Sequence, residues 1–142
     1  MNTNAQYFSW ADCWVITGIL CSTPDEAEID LRALISAGDM LNHAIYSENE
    51  LRDGFLKAQK KGLISIQRNR IKISKQGQEV RSMVRKMRGG LFSIVDNMQK
   101  KLNSKRTTLL DVPDDDIDPC SFINEKAVRK GYAQYSGNLK KR

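Results

Sequence analysis

Cationic and amide side chains, rather than nucleophiles or metal ligands, are the residues of this chain whose types and spacing could do chemistry. Arg68, Asn69 and Arg70 follow one another between two short apolar runs, with Lys72 two positions on. Asn49, Asp53, Lys57 and Lys60 recur at steps of four, four and three, with Lys61 beside the last, and so share one face of a helix. Arg81, Arg85 and Arg88 repeat at steps of four and three. Guanidinium and ammonium groups make charge-assisted hydrogen bonds to anionic oxygens such as those of phosphate.

Other chemistries lack their residues. The chain has one His and three Cys, with no Cys-x-x-Cys and no carboxylates at ligand spacing from His43, so no metal site is expected. It has no glycine-rich phosphate loop and no supported pairing of nucleophile with base, so no enzyme, catalytic residue or cofactor is expected. Asp111, Asp114, Asp115, Asp116 and Asp118 lie among two prolines but lack the glycine turn and terminal glutamate of an EF-hand loop. That stretch reads as a linker. His43 is assigned a structural place, at a helix end or partly buried.

Charge distribution says more than its total of +6. Residues 1–51 carry one basic and eight acidic side chains, residues 52–106 sixteen and three, and residues 107–142 six of each. The positive charge therefore gathers in the middle of the chain, around the cations named above, and favours a polyanion partner, nucleic acid first. No apolar run approaches the roughly 20 residues of a membrane helix. The first basic residue is Arg32, so a secretory signal with its basic n-region is not expected either. A cytoplasmic protein follows as the expectation. An odd cysteine count offers no disulfide framework, and Cys13 and Cys21, about 12 Å apart on a helix, are too distant to bridge.

The elements that position these residues can be read in order. Residues 1–8 are polar and expected to fray, as is the tail Lys140-Lys141-Arg142. Ser9 with Asp12 starts a helix carrying Trp10, Cys13, Trp14, Thr17, Leu20 and Cys21 as a broad apolar stripe, the tryptophans anchoring a core or a dimer contact. Thr23-Pro24-Asp25-Glu26 predicts a second helix start, with threonine as cap and glutamate completing the box. That helix buries Ala27, Leu31, Leu34 and Ile35, runs to about Asn42, and turns Glu28 and Asp30 outward, away from any phosphate. Ser47 and Glu50 form a further capping box, and Leu51, Phe55, Ala58 and Gly62 line the inner face behind it.

With Arg68 and Asn69 at a two-residue turn, Gln67 pairs with Arg70, Ile66 with Ile71, Ser65 with Lys72 and Ile64 with Ile73. This register puts four isoleucines on one face. Ser74 caps the next helix, whose Val80, Val84, Met87 and Leu91 form a stripe that Gly89-Gly90 interrupts. Leu91, Ile94, Val95, Met98 and Leu102 continue as a second amphipathic segment. Asn124 caps a last helix that packs through Ala127, Val128, Tyr132 and Tyr135.

The progression from Glu50 through Gly62-Leu63-Ile64, the basic hairpin and Ile73-Ser74-Lys75-Gln76-Gly77 resembles the recognition helix and wing of bacterial winged helix-turn-helix proteins of the MarR and PadR types. With the preceding helices the resemblance covers roughly residues 9–88. It implies a mainly α fold with a small two-stranded wing, a winged helix domain over residues 1–88 and a helical extension over 89–142. It also implies a transcriptional regulator that binds double-stranded DNA as a homodimer paired through helices outside the wing, although folding of that stripe onto the first helix is an alternative. On this resemblance Asn49, Asp53, Lys57 and Lys60 meet bases in the major groove, and Arg68, Asn69, Arg70, Lys72, Arg81 and Arg85 serve the backbone or the minor groove. Glu48, Glu50 and Asp53 put negative charge at the start of the same helix. They favour the other reading, a winged-helix module that binds protein without reading DNA sequence. No motif specifies a small-molecule effector.

Overall fold

The structure, a computed structural model, describes residues 7–140, and side chains for 7–137. Residues 1–6 of the segment expected to fray, and Lys141-Arg142 of the tail, lie outside the described residues. Phe8, within that first segment, is a core residue, which corrects the expectation for it. Its N–H donates to Asn103 Oδ1 at 3.0 Å, and its carbonyl accepts from Asn103 Nδ2 and Gln99 Nε2.

Over the described residues the fold is mainly helical, with six α-helices and one small antiparallel sheet. Helix α1 (Trp10–Ser22) starts where expected, because Ser9 and Asp12 complete a reciprocal capping box. Nine of its residues, Asp12 to Leu20, are buried in succession, so the stripe closes round the helix. A helix that is apolar all round belongs in the interior. Four other helices accordingly pack against α1.

The run Thr23-Pro24-Asp25-Glu26 does not start a helix. Thr23 instead closes α1, its N–H donating to the Ile19 carbonyl, and Glu26–Glu28 forms strand β1. Helix α2 (Leu31–Asn42) begins later, capped by Asp30, and ends at Asn42 as expected, with His43 left-handed at its C-terminus. The local capping signal is outweighed by the backbone groups on the outer edge of the hairpin, which need partners. β1 supplies them: Ile73 N–H donates to the Asp25 carbonyl, Ile29 N–H to that of Asn69, and Ala27 stands opposite Ile71. The sheet therefore has three strands rather than two, and Glu28 is a strand residue beside the hairpin.

Helix α3 (Glu48–Lys60), strands β2 (Ile64–Gln67) and β3 (Arg70–Ile73), and helix α4 (Lys75–Lys86) follow the expected pattern. Ser47 and Glu50 make their capping box, and Leu51, Phe55 and Ala58 are buried. Gly62 takes φ +71°, the left-handed turn out of α3. Arg68 and Asn69 take φ 50° and 66°, the two positive values of a type I′ turn. The pairing is the one expected: Ile64 with Ile73, Ser65 with Lys72, Ile66 with Ile71 and Gln67 with Arg70. Ser74 caps α4 through the Gly77 N–H.

Gly89 breaks the chain before helix α5 (Gly90–Leu102), whose Val95, Met98 and Leu102 are buried. They join the same core as α1, to which Trp10 Nε1 adds a 2.8 Å bond to Asp96. Those three residues of the α5 stripe thus have their partner within the chain, by the folding-back alternative, whereas Leu91 at its start is 50% exposed. Residues 103–124 then pass along α3 to helix α6 (Glu125–Lys140), which Asn124 caps. α6 lies on α2 by Gly131, against Leu31 and Ile35, and by Tyr135, whose hydroxyl donates to Asp39. Tyr132, expected among the packing residues of this helix, is 46% exposed. Phe92 is 95% exposed at the α4–α5 corner, with Leu91 and Met83 near it in sequence and also exposed.

Tyr46, in the turn between α2 and α3, is a buried wedge. Its hydroxyl donates to the Trp14 carbonyl at 3.1 Å, its ring centroid lies 4.3 Å from that of Trp14, and Trp14 Nε1 donates to the Gly38 carbonyl. A Cβ on Gly38 would stand 2.4 Å from the Tyr46 ring. In an ordinary helix interior, Gly→Ala stabilises by up to about 1 kcal/mol. Here Gly38→Ala is expected to destabilise by about 1–3 kcal/mol through overpacking, measured by urea denaturation. Equal or greater stability would show that the wedge is loose.

Candidate nucleic-acid interface

The hairpin tip is the most accessible cationic feature of the sheet. Arg68, Asn69, Arg70 and Lys72 are all exposed, while Ile64, Ile71 and Ile73 beneath them are buried and Ile66 half-buried. Alternation across the pleat thus fixes the cations on the outer face. The third strand adds carboxylates to this face, with Glu26 opposite Lys72 and Glu28 opposite Arg70. Opposite charges across a strand pair favour the sheet and also reduce the positive field along it. Arg68, beyond the end of that pairing, carries the charge left at the tip.

On α3 the two ends of the outer face differ. Asn49 and Asp53 in the first half are exposed, and the Asn49 side-chain oxygen accepts from Arg52, which also pairs with Glu48. In the second half the lysines have partners within the chain. Lys57 Nζ lies 2.5 Å from the buried Asp12 carboxylate, donates to the Tyr7 carbonyl and stands over the Tyr7 ring. Lys60 pairs with Asp114 at 3.0 Å and donates to the Val112 carbonyl. Lys61 pairs with Asp111 at 2.6 Å and also faces the Tyr7 ring. The hydrogen bond that Lys60 donates to Asp114 raises the pKa of Lys60, and the one that Asp111 accepts from Lys61 lowers the pKa of Asp111.

Residues 109–123 bring these carboxylates to α3. The Val112 N–H donates to the Lys60 carbonyl, while the Gln59 side chain exchanges two hydrogen bonds with the backbone of Asp118. Farther along, Arg52 donates to the Ile123 carbonyl and Phe122 meets Phe55 edge-on at 5.7 Å. The expected linker is therefore a strap fitted to α3, with Asp114–Asp116 in one turn of 3-10 helix. The acidic run and the lysines of α3 are both visible in the sequence. Nothing there says that they meet, and no sequence signal marks Gln59 or Arg52 as a holder of the strap.

Arg81 and Arg85 sit at the C-terminal end of α1. Arg81 donates to the Leu20 carbonyl at 3.1 Å and pairs with Asp25 at 2.8 Å, and Arg85 donates to the Cys21 carbonyl. The last turn of α1 has no basic residue of its own. These guanidiniums supply donors to its open carbonyls and complement its dipole. Arg81 is thereby 17% exposed, whereas Arg85 is exposed and only loosely held.

The thiols are free, and burial pushes Cys13 and Cys120 up to about 12. Among the described residues no group of three or more His, Cys, Asp or Glu could hold a metal ion, and no helix is long and apolar enough to cross a membrane. No family model, curated protein or solved structure matches the chain.

The two sets of arginines should separate in a stability measurement. Arg81→Ala removes charge-assisted bonds to a helix end and is expected to cost about 1–2 kcal/mol by urea denaturation. Arg68→Ala, on an exposed turn, should stay within about 0.5 kcal/mol of the parent. Equal effects would remove the structural role assigned to Arg81.

Proposed function

We propose that this chain is a DNA-binding transcriptional regulator in which α2, α3 and the hairpin form a winged helix-turn-helix. The observation that carries the reading is the tip Arg68-Asn69-Arg70, exposed and held in a single register by isoleucines packed beneath it. In this reading the tip arginines neutralise phosphates or enter a minor groove, with Lys72 behind them. Asn49 and Asp53 meet base edges from the open half of α3, an amide suiting adenine and a carboxylate the amino group of cytosine. Lys57 and Lys60 reach DNA only on leaving their internal partners, and Arg81 and Arg85 act chiefly on α1. The protein works in the cytoplasm. Since Val95, Met98 and Leu102 of the α5 stripe are buried within the chain, a homodimer would use the exposed Leu91 and Phe92 instead.

A second reading, a winged-helix protein-interaction module, is favoured by one observation. The lysines at the end of α3 are each engaged by the chain's own carboxylates.

Fluorescence anisotropy with labelled duplex DNA over a salt series distinguishes them. Regulatory binding should weaken steeply with salt. Arg68→Ala with Arg70→Ala should lower affinity and flatten the log–log slope by about one unit for each phosphate no longer neutralised. Absence of duplex binding at about 50 mM salt, or binding indifferent to both arginines, would leave the interaction module as the better reading.

A further inference from the structure

We infer that residues 110–117 are an autoinhibitory strap, competing with a nucleic-acid backbone for Lys60 and Lys61 at the end of α3. The inference rests on the DNA-binding reading above and adds its regulation. A carboxylate offers an ammonium group the same kind of anionic oxygen that a phosphate does. Asp111 and Asp114 occupy Lys61 and Lys60 in that way, at 2.6 and 3.0 Å. The backbone adds a two-way clasp, in which Val112 N–H donates to the Lys60 carbonyl and Lys60 Nζ to the Val112 carbonyl.

Both ends of the strap are anchored. Before it, Gln76 Nε2 donates to the Thr108 carbonyl and Leu109 packs against the core. After it, Asp118 is held by Gln59, and Cys120 and Ile123 are fully buried. Between the anchors most side chains are exposed, including Leu110 at 65% and all four of Asp111, Asp114, Asp115 and Asp116. The middle is thus held by the Val112–Lys60 clasp and by two ion pairs whose carboxylates are exposed, the latter a weak and salt-screened class of interaction. Lifting it uncovers two lysines without disturbing the core. Asp115 and Asp116 add charge that repels phosphate while the strap lies in place.

The test compares the full chain with the variant D111N/D114N/D115N/D116N, on duplex DNA at low salt, with circular dichroism confirming both folds. The four side chains are exposed, so the variant retains the core. If the strap is closed in about nine molecules of ten, opening it raises apparent affinity about tenfold. Removing four negative charges would also strengthen binding in a general way, and adding K60A/K61A to each chain separates the two effects. The inference expects these lysine substitutions to abolish most of the gain in the variant and to cost the variant several times more affinity than they cost the parent. A gain that survives loss of both lysines, or no gain at all, overturns the strap while leaving an Arg68-dependent parent intact as a DNA binder. Failure of both chains to bind duplex overturns the DNA reading, and the strap with it.

Discussion

Burial of α1 on every side is the constraint on which the arrangement of the other elements depends. A helix with nine consecutive buried residues needs neighbours around its whole circumference, and the chain provides them with α2, α3, α4 and α5. Close approach is set by small residues. Gly18 and Gly38 receive the Tyr46 ring, and Gly54 of α3 lies against Val15, where an added Cβ would stand 2.4 Å from a methyl group. Tyr46 ties α1, α2 and the turn into α3 together through one buried hydroxyl and its tilted ring contact with Trp14. The angle at which α3 leaves that turn, and hence the surface it shows, follows from this packing.

Electrostatics then divides the cations into two populations. Lys57, Lys60, Lys61, Arg52 and Arg81 are used within the chain, against Asp12, Asp114, Asp111, Glu48 and Asp25. Arg68, Arg70 and Lys72 remain exposed on the hairpin, where the carboxylates of β1 stand opposite Lys72 and Arg70. A basic middle segment is therefore a poor measure of the field that a partner meets. The strap matters in this division because it places acidic residues on the end of α3, the helix face assigned to nucleic acid in the proposed function.

What could be read from the sequence was what local chemistry decides. The Ser47–Glu50 and Ser9–Asp12 boxes, the Asn69 turn and the isoleucine alternation each involve residues within a few positions of one another, and all appear as expected. β1 was hidden because Thr23-Pro24-Asp25-Glu26 satisfies every local rule for a helix start, while its actual partner, β3, lies more than forty positions away. The α5 stripe declared a buried face without naming what covers it, which left a second subunit and α1 both open. The ion pairs of α3 were illegible for a related reason. Charge complementarity between two segments carries no register, so Asp111 and Asp114 could not be matched to Lys61 and Lys60 in advance.

In the proposed function the hairpin tip is open to nucleic acid while the end of α3 is closed by the chain itself. Hydrogen exchange of the full chain, with and without excess duplex DNA at low salt, tests both halves in one measurement. The expected result is slower exchange around Gln67–Arg70 and faster exchange at the Val112 amide, which loses its bond to the Lys60 carbonyl when the strap lifts. Unchanged exchange at both places with DNA bound, or protection confined to α6, would contradict it.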